Sequence, residues 1–391
     1  MVLASAAFIL LAASVAEAAP DVGGNWAILV AGSRGYYNYR HQADLCHAYH
    51  VLVSHGIPPD HIISMAYDDV AHHYDNPFPG KLFNHPEGED VYAGCKIDYT
   101  GHEVTPDNFV AVLTGDRANA PEGKPVLGST SADRVFVYFV DHGAVDLVAF
   151  PSEVLHSATL NAALIKAYSS QLFRRLVFYL ETCESGSMFE GVLPLGLPIY
   201  AVTAANAHES SWGTYCPPHD EVRGKSLGTC LGDLFSVSWL EDSDKALAMQ
   251  ETLHDQFERV KTLTNKSHVM QFGDLAISFK EEVGAFEGAA VAKPGAARRP
   301  VQSRPVNANE HARDLRLESA VDSREVTMHS LHWAFHRSRG EDEGRRLAVA
   351  MDERRRVNEL WACIARSVVA GEGGDDVVDD DVVDDDVVDD D

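Results

Sequence analysis

A histidine and a cysteine are the side chains in this sequence best suited to covalent chemistry. His142 and Cys183 each end an apolar, β-rich run, and Gly143 and Gly186 follow closely. A thiolate is a nucleophile, and a neighbouring imidazolium lowers the pKa of the thiol and can protonate a departing amine. Backbone N–H groups beside such a pair, here those of Gly143 and Cys183, can stabilise an oxyanion. The pattern favours acyl transfer through a covalent intermediate.

Each residue taken alone also has an ordinary explanation. A single cysteine after an apolar strand is more often a small core residue. The chain has 19 histidines, and a histidine at a strand end is more often a hydrogen-bonded surface group. Chemistry is favoured because both residues precede glycine at strand ends of an α/β chain, where ligands bind beyond the carboxyl ends of the strands.

The elements that must position this pair alternate between strands and helices. Leu45, Ala48, Tyr49 and Leu52 fall at helical spacing between the first two strands, which predicts a β-α-β unit. A parallel sheet covered by helices on both faces is therefore predicted. The candidate strands are 25–33, 61–67, 134–142, 175–183 and 199–205, and a further helix is predicted over 241–263.

Composition divides the chain into five predicted segments. Residues 1–19 have the length and the small terminal residues of a signal peptide, with an unusual buried helix or a misplaced start as alternatives. A folded body over 20–284 is followed by an Ala, Gly, Pro and Arg-rich linker over 285–323. Two helical patterns, 324–337 and 342–369, make up a short region over 324–370. The Asp/Val repeat over 371–391 is predicted to be disordered, with calcium binding as the alternative.

The net charge of −27 is unevenly distributed. Residues 1–292 carry 17 basic and 36 acidic residues, or −19, and residues 293–366 carry 15 and 11, or +4. The remaining 12 acidic residues bring the sum to −27. An acidic body argues against nucleic acid as a partner, and no segment after the first 19 residues has the apolar length of a membrane span. The body is expected to be soluble.

The six cysteines lack the spacing of a metal site. Cys216 and Cys230 flank a loop rich in Pro, Gly and charged residues, which a disulfide could close. A loop of 15 residues would gain about 3 kcal/mol from such closure. Neither a metal nor a cofactor is expected.

Six sequence blocks resemble the legumain family of asparaginyl endopeptidases, in the same order and at similar spacing. They run over residues 24 to about 280 and are AGSRGYYNYRHQADLCHAYH, DHG, ETCESGSM, TAANAHESSWGTYC, TCLGDLFSVSWLEDSD and TNKSHVMQFGD. The resemblance implies a caspase-like three-layer α/β/α sandwich with a mostly parallel sheet and a short C-terminal helical pro-region. It also implies Cys183 as nucleophile, His142 as acid and base, and Asn38 as the residue that orients the imidazole.

The same resemblance implies a substrate pocket and a cleavage preference. Family members cleave after Asn, and after Asp at acid pH, and the pocket is expected to be built from Arg40, His41, Glu181, Ser210 and Asp233. Arginine and carboxylates together can satisfy both ends of a carboxamide. Asp233 as a loop cap and Glu181 as a structural partner of Arg40 remain the alternatives. Gly213 stands at the pocket-edge position that sets hydrolysis against ligation, and a glycine there favours hydrolysis.

The basic region after residue 293 predicts a latent, acid-activated zymogen. Arg345, Arg346, Arg354, Arg355 and Arg356 would pair with carboxylates at the cleft, so that the chain's own C-terminal segment inhibits it until acid releases it. Asn307 and Asn309 would then be sites of self-cleavage. The alternative is a disordered tail on an open enzyme.

A glycosylation sequon bears on the cellular location of the protein. The sequon at Asn265 agrees with a secretory route to the vacuole, the lysosome or the extracellular space. The expected partners are peptides and proteins with exposed Asn, not nucleic acid or membrane. An asparaginyl ligase or transamidase and a catalytically idle peptide-binding protein are the competing functions.

Overall fold

The computed structural model describes residues 23–245, 250–288, 315–338 and 340–371, with residues 357–371 given by their backbone. The predicted signal peptide, Asn307, Asn309 and almost all of the acidic tail lie outside the described residues. The chain forms two units, residues 1–326 and 327–391.

The strands of the first unit form one large sheet and several small ones. In chain order they are β1 (Asn25–Ala31), β2 (Ile62–Ala66), β3 (Arg134–Val140), β4 (Gly143–Ala144), β5 (Leu147–Ala149), β6 (Val154–His156), β7 (Arg175–Glu181), β8 (Ile199–Thr203), β9 (Trp212–Thr214), β10 (Glu221–Val222), β11 (Lys225–Ser226), β12 (Gly232–Asp233), β13 (Met270–Gly273) and β14 (Val321–Asp322). The large sheet has the order β13-β8-β7-β3-β1-β2, and only its edge strand β13 is antiparallel. A mostly parallel sheet is confirmed.

The described helices are α1 (Tyr39–Ser54), α2 (Pro106–Leu113), α3 (Ser157–Ser169), α4 (Leu234–Ser243), α5 (Leu253–Leu263), α6 (Leu275–Lys280), α7 (Gly284–Glu287), α8 (Val326–Ser338) and α9 (Glu341–Gly371). The prediction of one helix over 241–263 is wrong. Helix α4 ends at Ser243, and α5 begins after Thr252, whose hydroxyl accepts a hydrogen bond from the Asp255 N–H. This N-cap fixes a new helix start that apolar spacing could not reveal.

Alternating strand residues bury against helices on both faces of the sheet. Ala27 and Leu29 of β1 pack in the same core as α1, α4 and α5. Ile28 and Val30 pack in a second core with α2 and α3. Because successive side chains of a strand point to opposite faces, this pattern confirms the three-layer α/β/α arrangement.

The strand order leaves a crevice at the carboxyl edge of β1, β3 and β7. The chain runs from β1 outward to β2, and then returns to place β3 on the other side of β1. Connections on either side of such a switch point diverge and leave room for a ligand. The segments that follow β1, β3 and β7 border this crevice.

Two disulfides hold loops of the first unit. Cys216 is bonded to Cys230, the pair that the loop composition and the family resemblance suggested. Cys46 of α1 is bonded to Cys95, a pair that the sequence did not indicate. The second bond ties α1 to the long connection that follows β2.

The second unit contains most of α8 and all of α9. On α9, Arg345 pairs with Asp342, and both Arg355 and Arg356 pair with Asp352. These are local pairs along one helix. Among the described residues, no helix combines the length and apolarity needed to cross a membrane.

Glu287 is a buried carboxyl at the end of α7 and is 1% exposed. Burial raises its pKa to about 8; the Ser243 hydroxyl opposes this shift and nearby carboxylates add to it. The charged or titratable groups around it are Asp242, Asp244, Glu251, His55 and, bound to two of these carboxylates, Arg259. The protonated acid therefore suits this environment better than the carboxylate.

We expect Glu287→Gln to stabilise the fold at neutral pH and not in acid. With a folded pKa near 8 against an ordinary 4.5, the stability linked to protonated Glu287 is complete below about pH 4.5 and is lost as pH rises towards 8. The free energy of unfolding in urea should rise by on the order of a few kcal/mol at about pH 8 and change little at about pH 4.5. Glu282→Gln, an exposed residue nearby, is the control. Equal effects at both pH values would contradict this account.

Candidate active site

Cys183 and His142 lie two residues beyond the paired ends of neighbouring parallel strands. Val140 at the end of β3 is opposite Glu181 at the end of β7. The chain therefore advances by the same number of residues to reach each side chain, and both meet at one edge of the sheet. Cys183 is buried and is a free cysteine, whereas His142 is half-buried.

Asn38 holds the imidazole of His142. Its Oδ1 lies 2.8 Å from His142 Nε2, and its Nδ2 donates to the Arg34 carbonyl at 2.8 Å. Since the amide oxygen can only accept, Nε2 carries the proton in this arrangement. The second ring nitrogen, Nδ1, is then the one able to exchange a proton with a thiol.

Gly143 packs directly against the backbone of the nucleophile turn. A Cβ at this position would lie 2.6 Å from the Cys183 carbonyl oxygen and 2.8 Å from Thr182 Oγ1. Only glycine allows the segment after His142 to approach this closely. The backbone beside both reactive residues is thereby brought within reach of one small volume, as an oxyanion hole requires.

The thiol and the imidazole are both neutral in this state. Burial raises the pKa of Cys183 above its usual range, although the Ser211 N–H and Arg324 oppose the shift. Burial, together with the positive charges of Arg40 and Arg324, lowers the pKa of His142 to about 3. Both shifts favour the neutral forms of the thiol and the imidazole.

Ser211 is a thiol contact that the sequence did not indicate. Its N–H donates to Cys183 Sγ at 3.4 Å, and its hydroxyl lies 3.8 Å from the same sulfur. The predicted pocket residue was the preceding one, Ser210, whose hydroxyl instead accepts a hydrogen bond from Arg324 at 3.1 Å. Neighbouring residues of one loop face different parts of the site, which sequence spacing cannot distinguish.

A buried ion pair lies among the residues that are expected to build the substrate pocket. Arg40 Nε donates to Asp233 Oδ1 at 2.8 Å, and both side chains are almost wholly buried. His41 lies on the same side, with Nε2 3.5 Å from Asp233 Oδ2 and Nδ1 2.6 Å from the Ser33 hydroxyl. Burial, followed by the charge of Arg40, lowers the pKa of His41. The pocket thus has one fixed positive charge.

Two further carboxyls surround this ion pair. Glu181 Oε2 accepts from the N–H and hydroxyl of Ser236 at 2.9 and 3.0 Å. Asp44, which the sequence reading missed, accepts from the Asp233 N–H at 3.0 Å. Burial raises the pKa of Asp44, Glu181 and Asp233, and Arg40 opposes it for the last two. One arginine among three carboxyls favours retention of protons by some of them.

Some polar atoms of this pocket have no hydrogen-bond partner within the described part of the chain. They include Arg40 Nη2, Glu181 Oε1, His41 Nε2 and Asp233 Oδ2, and all are buried. Buried polar atoms without partners are costly. Here they include both donor and acceptor capacity, so a ligand that carries an acceptor and a donor a short distance apart would satisfy them.

His41, Asp141 and His142 form a group whose donor atoms lie within 4.8 Å of one another. Such a set could hold a metal ion. Each imidazole already contacts another side chain, His41 with Ser33 and His142 with Asn38. The geometry is explained by the thiol site without an ion.

Residues 315–326 of the same unit cross the crevice. Strand β14 pairs antiparallel with β9, with Val321 opposite Gly213 and Asp322 opposite Trp212. The segment is anchored at its start by Arg316, which pairs with Glu241 at 3.0 Å, and by the Ser319 hydroxyl, which accepts from the Tyr215 N–H at 2.9 Å. It lies along β9 as an added strand does in peptide recognition.

Ser323 and Arg324 of this segment reach the reactive centre. The Ser323 N–H donates to the Ser211 carbonyl at 3.0 Å, and its hydroxyl is 3.1 Å from the Ser211 hydroxyl and lowers the pKa of Asp233, which burial raises. Arg324 forms an ion pair with Glu184. Arginines of α9 are the residues expected to cover the cleft, and no sequence pattern singles out Arg324.

A mostly parallel α/β sheet with a buried thiol and an oriented imidazole at adjacent strand ends defines the molecule as an α/β protein with a cysteine-histidine site. Residues 25–289 match the model of the peptidase C13 family. The chain belongs to the peptidase C13 family, and the resemblance to legumains is confirmed.

The similar proteins share most of the folded body. Mouse (Mus musculus) "Legumain" is 51% identical over 261 residues, which cover 66% of this chain and 58% of that protein. "Vacuolar-processing enzyme beta-isozyme 1" of Oryza sativa subsp. japonica is 46% identical over 274 residues, covering 68% and 55%. "Hemoglobinase" of Schistosoma japonicum is 44% identical over 308 residues, covering 78% and 67%. The chain thus spans less than two thirds of the mouse and rice proteins.

Among solved structures, caspase-1 from Spodoptera frugiperda matches with a TM-score of 0.34 at 11% identity. The match covers 61% of this chain and 76% of that one.

We expect Gly143→Ala to reduce peptide-bond hydrolysis by about a hundredfold or more, since loss of one oxyanion donor alone has that effect. The added Cβ must displace the Cys183 carbonyl, from which it would lie 2.6 Å. Turnover of a peptide substrate and thermal unfolding should be measured together. Val145→Ala, an exposed change in the same hairpin, should leave turnover unaltered. Full turnover by Gly143→Ala would show that the close contact between residue 143 and the Cys183 carbonyl is not needed for activity.

Proposed function

We propose that this chain is a cysteine endopeptidase that hydrolyses the peptide bond after Asn, and after Asp at acid pH. Cys183 is the nucleophile, His142 is the acid and base, and Asn38 orients the imidazole. The N–H groups of Gly143 and Cys183 stabilise the oxyanion.

The reaction follows from these positions. His142 Nδ1 takes the thiol proton as Cys183 Sγ attacks the carbonyl carbon, and the carbonyl oxygen becomes an oxyanion. The imidazolium then gives that proton to the departing amine as the C–N bond breaks. Water, deprotonated by the same imidazole, attacks the thioester and releases the acid and the free thiol.

The unpartnered atoms of the pocket carry the proposed preference for Asn. Arg40 Nη2 is a donor and Glu181 Oε1 an acceptor, and neither has a partner among the described residues. An Asn carboxamide offers both an acceptor and a donor. A protonated Asp does the same through its hydroxyl, whereas an ionised Asp has no donor. An apolar side chain would leave both atoms unsatisfied, which is where strong discrimination arises.

A substrate panel tests this proposal. The chain should be incubated at mildly acidic pH with peptides that differ only in having Asn, Asp, Arg or Leu before the scissile bond. We expect cleavage after Asn, cleavage after Asp that grows as pH falls, and none by Cys183→Ala. Asp233→Asn, which weakens the hold on Arg40, should lower the Asn to Leu ratio by about tenfold or more. An unchanged ratio would refute the pocket assignment.

We further propose that the C-terminal region inhibits the enzyme, as the course of residues 315–326 suggests. Ser323 lies beside Asp233 but has a hydroxyl too short to satisfy Arg40 and Glu181 together. The segment therefore occupies the crevice without offering the preferred side chain. Val321 and Asp322 add their backbone to β9 and exclude a substrate strand from the same edge.

We also propose a division of the chain into segments and a cellular location for the protein. A leader over 1–19 directs the chain to the secretory pathway, and a peptidase domain over 20–284 precedes an activation segment over 285–323 and a helical pro-region over 324–370. Asn265 is exposed, so a glycan attached there would lie in solvent. One relative is named a vacuolar-processing enzyme, which supports a vacuolar or lysosomal destination.

Ser323→Asn should convert the inhibitory segment into a substrate. The longer carboxamide can reach Arg40 and Glu181, so the chain should cut itself after residue 323 in mild acid, as mass spectrometry of the fragments would reveal. The double variant with Cys183→Ala should remain whole. Asp322→Asn, one residue out of the pocket, is the matched control and should give no cut after residue 322. Absence of the new cut, with Asn peptides still cleaved, would show that Ser323 does not occupy the pocket.

A further inference from the structure

Glu184, the residue after Cys183, is an acidic group that the proposed chemistry does not use. It has φ 46° and ψ 26°, the left-handed conformation, which costs a non-glycine residue free energy. Its N–H donates to the Glu209 carbonyl at 2.8 Å. The chain thus holds this side chain in a strained backbone position beside the nucleophile, where it is 7% exposed.

Residues 315–326, the covering segment, show what this carboxylate can bind. Arg324 forms an ion pair with Glu184 through Nη2, donates through Nη1 to the Ser210 hydroxyl at 3.1 Å, and points Nη2 at the Gly143 carbonyl at 3.5 Å. Carboxylate, hydroxyl and carbonyl are all acceptors. Together they form a cradle for a guanidinium or an ammonium group.

The positions of Ser323 and Arg324 indicate which residue of a substrate would occupy this cradle. Ser323 lies at the pocket beside Asp233, and Arg324 is the next residue along the chain. In a substrate held in the same direction, the residue after the cleaved bond would occupy the position of Arg324.

We propose that Glu184, with Ser210 and the Gly143 carbonyl, makes the enzyme selective for Arg or Lys immediately after the cleaved Asn. The inference rests on the proposed endopeptidase function. When the covering segment leaves, the carboxylate of Glu184 loses the cation that pairs with it. A basic substrate residue restores that pairing, an uncharged residue does not, and an acidic residue is repelled.

The same pair also latches the covering segment, and the two roles give different results. A latch alone changes how readily the segment leaves, which affects every substrate equally. A selective subsite changes the relative rates of substrates that differ after the scissile bond. Competition between two peptides measures that ratio directly, because both peptides share the same active molecules.

The test uses the full chain, released in mild acid, and peptides that are identical apart from Arg, citrulline or Glu after Asn. Citrulline has the shape of Arg without its charge. We expect kcat/KM for Arg to exceed that for citrulline by about tenfold, with Glu slower still. In Glu184→Gln the ratio of Arg to citrulline should fall to about one, whatever the absolute rates. Glu190→Gln, an exposed glutamate nearby, should keep the original ratio.

Each other result overturns a distinct statement. A ratio near one in the unaltered chain, with Asn peptides cleaved, removes the subsite and leaves the endopeptidase. A ratio that survives Glu184→Gln, or that falls equally in Glu190→Gln, removes Glu184 as its cause. Cleavage of none of the Asn peptides removes the proposed function and this inference together. The comparison in the unaltered chain holds even where Glu184→Gln fails to fold.

Discussion

The buried ion pair between Arg40 and Asp233 is the interaction on which the rest of the site depends. It joins α1 to β12, two elements 193 residues apart in sequence, at a distance of 2.8 Å. Two charges taken out of water are tolerated when each has close partners, and removal of one leaves the other buried and uncompensated. Asp44 and Glu181 also lie nearby, so the positive charge of Arg40 is surrounded by three carboxyl groups. The same arginine faces the pocket with one unsatisfied donor, so the fold and the proposed specificity share one group.

Parallel strand pairing supplies the second constraint. Val140 and Glu181 are opposite each other, and the thiol and the imidazole follow at equal chain lengths. Asn38, which follows β1, completes the arrangement from the third adjacent strand. Their relative positions are thus fixed by the hydrogen bonds of the sheet and not by flexible loops. The close approach at Gly143 depends on the same alignment, because any side chain there would meet the Cys183 carbonyl.

In the proposed inhibited state, residues 315–326 occupy the site in the manner of a substrate. The segment adds strand β14 to β9, and we propose that Ser323 and Arg324 lie where a substrate would place the residues around its cleaved bond. Arg324 also contributes to the low pKa of His142, so the imidazole of the covered enzyme is neutral in mild acid. Departure of Arg324 removes a positive charge from this neighbourhood and favours a protonated imidazole. The proposed release would therefore alter the electrostatics of the site as well as its access.

The sequence by itself determined the alternation of strands and helices, the family and the two reactive residues. Apolar runs ending in Asp141-His142-Gly143 and in Thr182-Cys183 are local patterns, and local patterns are what a sequence records directly. Ser210 stays a predicted pocket residue, and its neighbour Ser211, which no motif singles out, contacts the thiol. The orientation of one loop residue against the next depends on the packed structure.

Only the tertiary structure decided which distant residues complete the site. Asp44, the bond between Cys46 and Cys95, and the contact of Arg324 with Glu184 join parts of the chain far apart in sequence. No periodicity or composition specifies such pairs, because they arise when strand order and register bring separate segments together. The sequence therefore determined the kinds of chemistry available, and the packing of α1, β9 and residues 315–326 decided where each charge lies.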